Sequence, residues 1–341
     1  MTDTAVTMTA VPLPGTDLAV TPLVLGGNML GSRLDEDASF ALLDAYVESG
    51  GTMVDTAAVY SDWLPVVERG CSELTIGRWL GTRPGPAVMV ATKGGHPDLA
   101  RPHEPRLDEA ALRQDVGQSL DRLGLPALDL WLAHRDDPRL PVAEILGVFE
   151  ALRTDGLMRW YGVSNWTTER VAEAVRLRDA GAAPGFVATQ SAFAAAVPRA
   201  DRMPADLVAA DAAMLTLHAT SGLALLAYSA AAKGWFAGAV GAGDAYDSAP
   251  NRHVRDVVRT VAAEIGAEPA QVALAALLGL DVPLRLVVGC SSVARWHQSL
   301  AAVAMPLSPD QVHRIHVVLP VGVTSSAPGR GYAARPVTRG S

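Results

Sequence analysis

The sequence predicts a (β/α)8 barrel, in which eight parallel strands alternate with eight helices. Short apolar, β-branched runs alternate with longer stretches whose charges recur at i, i+3 and i+4 spacing. Polar residues also follow several of the apolar runs, at the positions that a barrel gathers on one rim. The chain has 341 residues, a length that suits two average domains or one such barrel.

The predicted elements follow one another in strict alternation. We expect strands at 22–26, 52–56, 87–92, 128–133, 158–163, 187–190, 223–228 and 284–289. We expect helices at 36–49, 72–81, 108–122, 142–155, 168–180, 205–218, 252–265 with 269–279, and 294–304. Eight strand–helix units in this order favour a closed parallel barrel over other α/β folds.

The chain divides into three predicted segments. Residues 1–20 form an N-terminal segment with a hairpin around Pro14-Gly15, which could close the bottom of the barrel. Residues 21–320 form a single barrel domain, because no Gly/Ser linker or charge run divides them. Residues 321–341 are rich in Pro, Gly, Ser and Arg and are expected to be a loosely ordered tail.

Composition and charge narrow the choice of partners and location. The net charge is −8, and no dense basic cluster is present to follow a phosphate backbone or an anionic membrane surface. No signal peptide or uninterrupted apolar run of spanning length is apparent. Cys71 and Cys290 lie far apart and suggest no disulfide framework. We therefore expect a cytoplasmic protein that binds a small molecule, with its oligomeric state left open.

Four polar residues stand at or just beyond successive predicted strand ends. Asp55 ends the second strand, Tyr60 follows it by five residues, Lys93 ends the third strand and His134 ends the fourth. Each alone has a structural explanation, as a cap, a loop aromatic or a hydrogen-bonded core histidine. Lys93 is nevertheless one of only two lysines in a chain that otherwise uses arginine. Together the four residues predict an acid–base site.

The chemistry of these four residue types suits carbonyl reduction. A tyrosine with a pKa near 10 keeps its proton at neutral pH, and a neighbouring cation is expected to lower that pKa. Lysine provides a compact charge where the planar guanidinium of arginine needs more room. An aspartate can hold the ammonium, and a histidine can donate a hydrogen bond to the substrate oxygen. No side chain donates hydride, so a nicotinamide cofactor is implied.

Several motifs resemble the aldo-keto reductase superfamily, in order and at suitable spacing. These are VDTAAVY, ATKGG, LDLWLAHRDDP, GVSNW, AYS and VVGCSSVARW, which together cover roughly residues 20–310. The longer stretch SELTIGRWL looks like the bacterial sugar- and xenobiotic-type branch. The resemblance implies a TIM barrel that reduces aldehydes and ketones with NADPH or NADH and needs no metal. It places Asp55, Tyr60, Lys93 and His134 in the family's catalytic tetrad.

The resemblance also implies a cofactor site. Ser164, Asn165 and Gln190 match the residues that hold the nicotinamide carboxamide. Tyr228 matches the aromatic ring that stacks on the nicotinamide, and Ser229 follows it at the end of the seventh strand.

A C-terminal cofactor-binding loop is implied around the predicted eighth helix. Ser291, Ser292 and Arg295 match the part of the family that grips the adenosine 2′-phosphate, although this chain lacks a basic residue among positions 290–292. NADPH is favoured because two hydroxyls, a helix N-terminus and Arg295 suit a phosphate. NADH stays an alternative.

Substrate-pocket residues are less sharply defined. Met29, Trp63, Trp166 and Phe193 lie just past predicted strand ends, where they would wall a pocket or pack beneath the loops. GAVGAG at 238–243 lacks the spacing of a dinucleotide-binding glycine loop.

No metal site is predicted from the sequence. His313 and His316 are three residues apart in a helical stretch but lack an evident third ligand, so we place them on a solvated helix face.

The predicted function is NAD(P)H-dependent reduction of an aldehyde or ketone, with Tyr60 as general acid. Sugars and natural-product carbonyls are among the candidate substrates. Two alternatives keep the same fold. One is an NADPH-binding regulatory subunit, against which the complete set of four residues argues. The other is a reductase acting on an imine or within an epimerisation, which the same residues would serve.

Overall fold

A closed parallel barrel forms the centre of the molecule. The computed structural model describes residues 6–83, 88–183, 185–239 and 241–319. The barrel strands are β3 (Leu23–Gly26), β4 (Met53–Asp55), β5 (Met89–Gly94), β6 (Leu128–Ala133), β7 (Met158–Ser164), β8 (Ala188–Ala192), β9 (Ala224–Tyr228) and β10 (Leu284–Gly289). Neighbours in the chain pair in parallel, and β10 pairs with both β9 and β3. The predicted (β/α)8 barrel is therefore confirmed.

Helices surround this barrel on the outside. Within the described residues they are α1 (Glu36–Glu48), α2 (Cys71–Gly81), α3 (Glu109–Leu123), α4 (Val142–Thr154), α5 (Thr168–Asp179), α6 (Ala212–Ser221), α7 (Ala249–Ile265), α8 (Pro269–Leu278), α9 (Val293–Leu300) and α10 (Pro309–His316). Several begin at a side-chain cap, as where Asp35 and Asp108 accept backbone N–H groups of the first turns of α1 and α3. These caps fix where each helix begins.

One predicted helix begins later than its sequence pattern suggested. The helix expected at 205–218 is α6, which begins at Ala212 because Asp211 caps it by accepting the N–H of Met214 at 2.7 Å. The residues before the cap instead run beside β8, where the N–H of Ala210 donates to the carbonyl of Ala192. Apolar periodicity alone could not locate this boundary, because the cap determines it.

The predicted N-terminal hairpin is present and closes one end of the barrel. β1 (Val11–Pro12) pairs with β2 (Ala19–Val20) in antiparallel fashion. Leu13 and Leu18 are fully buried and pack with interior residues of the barrel strands. Arg285 on β10 secures the hairpin, since its guanidinium donates to the carbonyls of Val20 and Val11, each at 3.0 Å.

The two histidines of α10 differ in their surroundings. His313 is exposed as predicted, but placing His316 on the solvated face was wrong. Its Nε2 lies 2.7 Å from the carbonyl oxygen of Ala276, because α10 packs against α8 on this side. Among the described residues, no group of three His, Cys, Asp or Glu side chains is arranged to hold a metal ion.

Other sequence expectations concern cysteines, membranes and the tail. Cys71 and Cys290 are both free and buried. In the described part of the chain, no single helix has the length and apolarity to cross a membrane, although α7 and α8, bent by 101°, reach that length jointly. The predicted tail at 321–341 lies outside the described residues.

We predict that Leu13→Ala destabilises the barrel without impairing the site at its opposite end. Truncating a fully buried leucine should lower the free energy of unfolding by about 2–5 kcal/mol, through lost burial and the cavity left behind. Chemical denaturation measures this loss. Leu99→Ala, at a side chain that is 43% exposed, is the matched control. An unchanged free energy of unfolding in the Leu13 variant would contradict a stabilising role for the hairpin at this end of the barrel.

Candidate active site

Lys93 lies at the centre of the site, where the carboxyl ends of β4 and β5 meet. Its side chain is 1% exposed. Its Nζ donates to Asp55 Oδ1 at 2.8 Å, to Tyr60 Oη at 2.8 Å and to the carbonyl oxygen of Thr56 at 2.6 Å. All three N–H groups of the ammonium therefore have an acceptor, as a buried charge requires.

The two glycines after Lys93 let the chain pass closely over α3. A Cβ at Gly94 would lie 2.9 Å from the Cβ of Asp115, and Gly95 has a left-handed φ of 69°. Asp115 holds this turn by accepting the N–H of Gly95 at 2.8 Å and pairing with Arg106 at 2.8 Å. The sequence VATKGG therefore combines a buried cation with a tightly held strand end.

Asp55 gathers donors from three elements. Besides Lys93, it accepts Tyr60 Oη–H at 3.2 Å and Gln190 Nε2–H at 2.7 Å. Gln190 is 1% exposed at the end of β8. Its contact with Asp55 was not predicted, because the family resemblance connects Gln190 only with the cofactor. The carboxylate thus ties together the ends of β4, β5 and β8.

Burial determines the protonation states of the phenol and the ammonium. The pKa of Tyr60 is raised well above 10, first by burial and then by the negative charge of Asp55. The net shift is therefore upward, and the expected lowering by Lys93 stays a prediction. Burial also lowers the pKa of Lys93 from 10.5, although the charge of Asp55 opposes this shift. Tyr60 consequently keeps its proton throughout the neutral range.

His134 supplies a neutral imidazole beside the phenol. Its ring centroid lies 6.0 Å from that of Tyr60 and 5.0 Å from that of His96. Burial, followed by the positive charges of Lys93 and Arg135, lowers the pKa of His134 well below 6.5. Its Nδ1 is buried without a hydrogen-bond partner among the described residues. At neutral pH, His134 can therefore donate a hydrogen bond without carrying charge.

Sequence reasoning missed two residues that border this group. His96 packs edge-on against His134. Arg135 donates from Nη1 to the carbonyl oxygen of His134 at 2.8 Å and from Nε to Asp206 at 2.6 Å. His96 lies three residues after Lys93, and Arg135 directly follows His134. This closeness along the chain was the only sequence signal for either residue.

The predicted nicotinamide residues contact one another at the ends of β7 and β8. Ser164 Oγ donates to the carbonyl of Gln190 at 3.0 Å, and Asn165 Nδ2 donates to Ser164 Oγ at 3.0 Å. Tyr228 Oη donates to Asn165 Oδ1 at 2.8 Å. Asn165 has a left-handed φ of 59°, which turns its amide at the strand end. Amide and hydroxyl groups gathered in this way fit a carboxamide.

The predicted phosphate residues lie at the N-terminus of α9. Ser292 caps this helix by accepting the N–H of Arg295 at 3.3 Å. Ser291, Ser292 and Arg295 are all exposed, and Arg295 Nη1 meets Gln298 Oε1 at 3.1 Å. Hydroxyls, a helix N-terminus and an exposed guanidinium together fit an anion such as a phosphate. Ser229 follows β9 with a left-handed φ of 57°.

The four predicted pocket residues differ in how far their side chains are exposed. Trp63 is 58% exposed and Met29 is partly buried, so both remain candidates for the substrate side. Trp166 and Phe193 are 1% and 4% exposed and belong to the main apolar core. Trp166 packs edge-on against Phe186 at 6.0 Å. This burial does not favour a substrate contact for either side chain, and their pocket role stays a prediction.

A cavity of about 140 Å³ with a mixed polar and apolar lining borders the site between the loops that follow β4 and β5. His96 lines it and also contacts His134. Its other lining residues include the charged Arg69, Arg106 and Asp115 and apolar side chains such as that of Leu99. None of the four predicted tetrad side chains lines this cavity.

Comparison with known proteins defines the class of the molecule. Residues 22–319 match the model of the Aldo/keto reductase family. Aldo-keto reductase str7 of Strobilurus tenacellus is 26% identical over 294 residues, or 81% of this chain and 80% of that protein. Aflatoxin B1 aldehyde reductase member 4 of Homo sapiens is 35% identical over 153 residues, or 44% of this chain and 42% of that protein.

The solved structures agree on the fold. The holo form of aldo-keto reductase AKR11C1 from Bacillus halodurans superposes with a TM-score of 0.74 at 22% identity, covering 94% of this chain and 99% of that one. The fold and the family match together define an NAD(P)H-dependent oxidoreductase of carbonyl compounds. The chain belongs to the aldo/keto reductase family.

We predict that Lys93→Arg strongly reduces turnover while cofactor still binds. The ammonium is enclosed by three acceptors within 2.8 Å, and a guanidinium does not fit this geometry although it keeps the charge. Steady-state kinetics together with cofactor titration by fluorescence measure the two effects. Lys233→Arg makes the same exchange at an exposed position. Near-normal turnover in the Lys93 variant would show that the site needs only the charge.

Proposed function

We propose that the protein reduces an aldehyde or ketone to an alcohol with NADPH, and that Tyr60 is the general acid. The observation that carries this proposal is the arrangement around Lys93 Nζ, which lies 2.8 Å from both Tyr60 Oη and Asp55 Oδ1 in a buried site. A phenol that keeps its proton until charge develops beside it, with a cation already in contact, is suited to protonating a carbonyl oxygen.

The proposed roles follow from the contacts. A dihydronicotinamide bound at this rim would supply the hydride that the carbonyl carbon needs. The proton passes from Tyr60 Oη to the carbonyl oxygen, which leaves a phenolate 2.8 Å from Lys93 Nζ. The neutral imidazole of His134 donates a hydrogen bond to the substrate oxygen as negative charge develops there. Asp55 keeps the buried ammonium charged and in place.

The cofactor would be held at two places. Ser164, Asn165 and Gln190 would bind the carboxamide, and Tyr228 would stack against the nicotinamide ring. At the other end of the cofactor, Ser291, Ser292 and Arg295 would bind the 2′-phosphate. This second group supports NADPH over NADH, because the N-terminus of α9 and the exposed guanidinium both favour an added negative charge.

Tyr60→Phe tests whether Tyr60 is the general acid. The substitution removes one oxygen and keeps the ring, so the rate of hydride transfer should fall by about 10²–10⁴-fold, the usual contribution of general acid catalysis. Cofactor affinity should change little. Single-turnover kinetics and fluorescence titration measure both quantities, and Tyr161→Phe, which removes the hydroxyl that donates to Glu150, is the control. A variant at position 60 that reduces a good substrate at the parent rate would remove Tyr60 as the acid.

Arg295→Ala tests the cofactor preference. Loss of a hydrogen bond to a charged group should weaken NADPH binding by about 1.5–3 kcal/mol and leave NADH binding nearly unchanged. Titration with both cofactors measures the difference. Arg153→Ala, at an arginine paired with Glu150 on α4, is the control. Equal losses for the two cofactors would give Arg295 a structural role instead.

A further inference from the structure

Arg135 places a largely buried guanidinium next to the reacting groups. It follows His134 directly at the end of β6, and its side chain is 14% exposed. Its Nη1 donates to the carbonyl oxygen of His134 at 2.8 Å, which holds the guanidinium against the rim. Its positive charge lowers the pKa of both Tyr60 and His134, so it lies within electrostatic reach of the proposed acid and hydrogen-bond donor.

The partner of Arg135 is more exposed than Arg135 itself. Asp206 accepts Nε–H through Oδ2 at 2.6 Å, and its side chain is 55% exposed. It lies between β8 and α6, on a segment that returns to the rim where the N–H of Val208 donates to Asn165 Oδ1 at 3.2 Å. Nη2 of Arg135 has no hydrogen-bond partner in the described part of the chain. The guanidinium therefore has one exposed ionic partner, and the N–H groups of its Nη2 are unused.

The difference in exposure makes this ion pair exchangeable. A guanidinium that is largely removed from water needs a countercharge, because its desolvation would otherwise be uncompensated. A carboxylate that is already half in water loses little on release, since surface pairs contribute only about 0–1 kcal/mol. A second carboxylate that reached Arg135 could use Nε and Nη2 together, the bidentate arrangement that a guanidinium favours.

We propose that Arg135 binds a carboxylate carried by the carbonyl substrate, and that this carboxylate displaces Asp206. The proposal rests on the proposed function and names its substrate class: aldehydes or ketones with an acid group elsewhere in the molecule. A carboxylate is favoured over a phosphate because the group it replaces is itself a carboxylate. The other positive charge near the guanidinium is that of Lys93, which Asp55 neutralises. The titratable imidazoles of His96 and His134 face it as neutral groups, because burial lowers the pKa of each.

The test compares acid and ester forms of the same substrates. A series of ω-formyl carboxylic acids of increasing chain length is assayed with NADPH, each beside its methyl ester, and the measured quantity is the acid-to-ester ratio of kcat/KM. The parent should prefer the acid at one chain length. Arg135→Gln should lower that ratio by about 10- to 100-fold, as expected for charge-assisted hydrogen bonds. Arg139→Gln, at a 68% exposed arginine of the same loop, should leave the ratio at the parent value.

Asp206→Asn separates this role from a structural one. Removing the competing carboxylate should raise the acid-to-ester ratio by about 2- to 5-fold, the contribution of a partly exposed ion pair. In the Arg135→Gln background, the same substitution should have no effect on the ratio. Because Asp206 is exposed, this variant stays informative even when Arg135→Gln fails to fold.

Three outcomes would overturn the inference. A parent enzyme with equal kcat/KM for acids and esters at every length has no carboxylate site. A loss in Arg135→Gln that is the same for acids and esters gives the guanidinium a purely structural role. In these first two outcomes the parent enzyme still reduces the esters, so the proposed function stands. Reduction of neither form with NADPH or NADH would remove the proposed function as well.

Discussion

The burial of the Lys93 ammonium is the constraint on which the site depends. An ion removed from water must be paired and hydrogen-bonded, and breaking a buried pair typically costs about 3–5 kcal/mol. Three acceptors satisfy this ammonium, the carboxylate of Asp55, the carbonyl of Thr56 and the phenol of Tyr60. The loop after β4 must therefore turn back towards β5, which brings Tyr60 to the rim in one definite position.

The same burial determines how the phenol behaves. Removal from water raises the pKa of Tyr60, and the carboxylate of Asp55 adds to that effect. A contact with an ammonium therefore does not produce a free phenolate before substrate is bound. In the proposed mechanism, the contact between Lys93 and Tyr60 acts once negative charge forms on the phenol. Such a site stays protonated at rest and stabilises the charge that the reaction creates, which is electrostatic preorganisation.

The sequence predicts the barrel and the proximity of Asp55, Tyr60 and Lys93. Strand periodicity and position at a strand end can both be read locally, and a parallel barrel brings its strand ends together on one rim. Other features depend on packing between distant segments. The contact of His316 with Ala276 requires α10 to lie on α8, and no local pattern encodes it. Arg135 pairs with Asp206, which lies 71 positions further along the chain. Asp206 falls in the stretch that periodicity predicts to be helical, whereas α6 begins only at Ala212, after its cap.

The carbonyl oxygen of His134 joins the proposed cofactor and substrate sites. It accepts Asn165 Nδ2–H at 3.3 Å on one side and Arg135 Nη1–H at 2.8 Å on the other. The amide of Asn165 is otherwise occupied by Ser164, Tyr228 and the N–H of Val208, so a carboxamide can bind there only by exchanging some of these bonds. Releasing Nδ2 from His134 leaves that carbonyl to the guanidinium alone. In this proposal, a carboxamide that takes Nδ2 from His134 would therefore act directly on the residue that would hold the substrate.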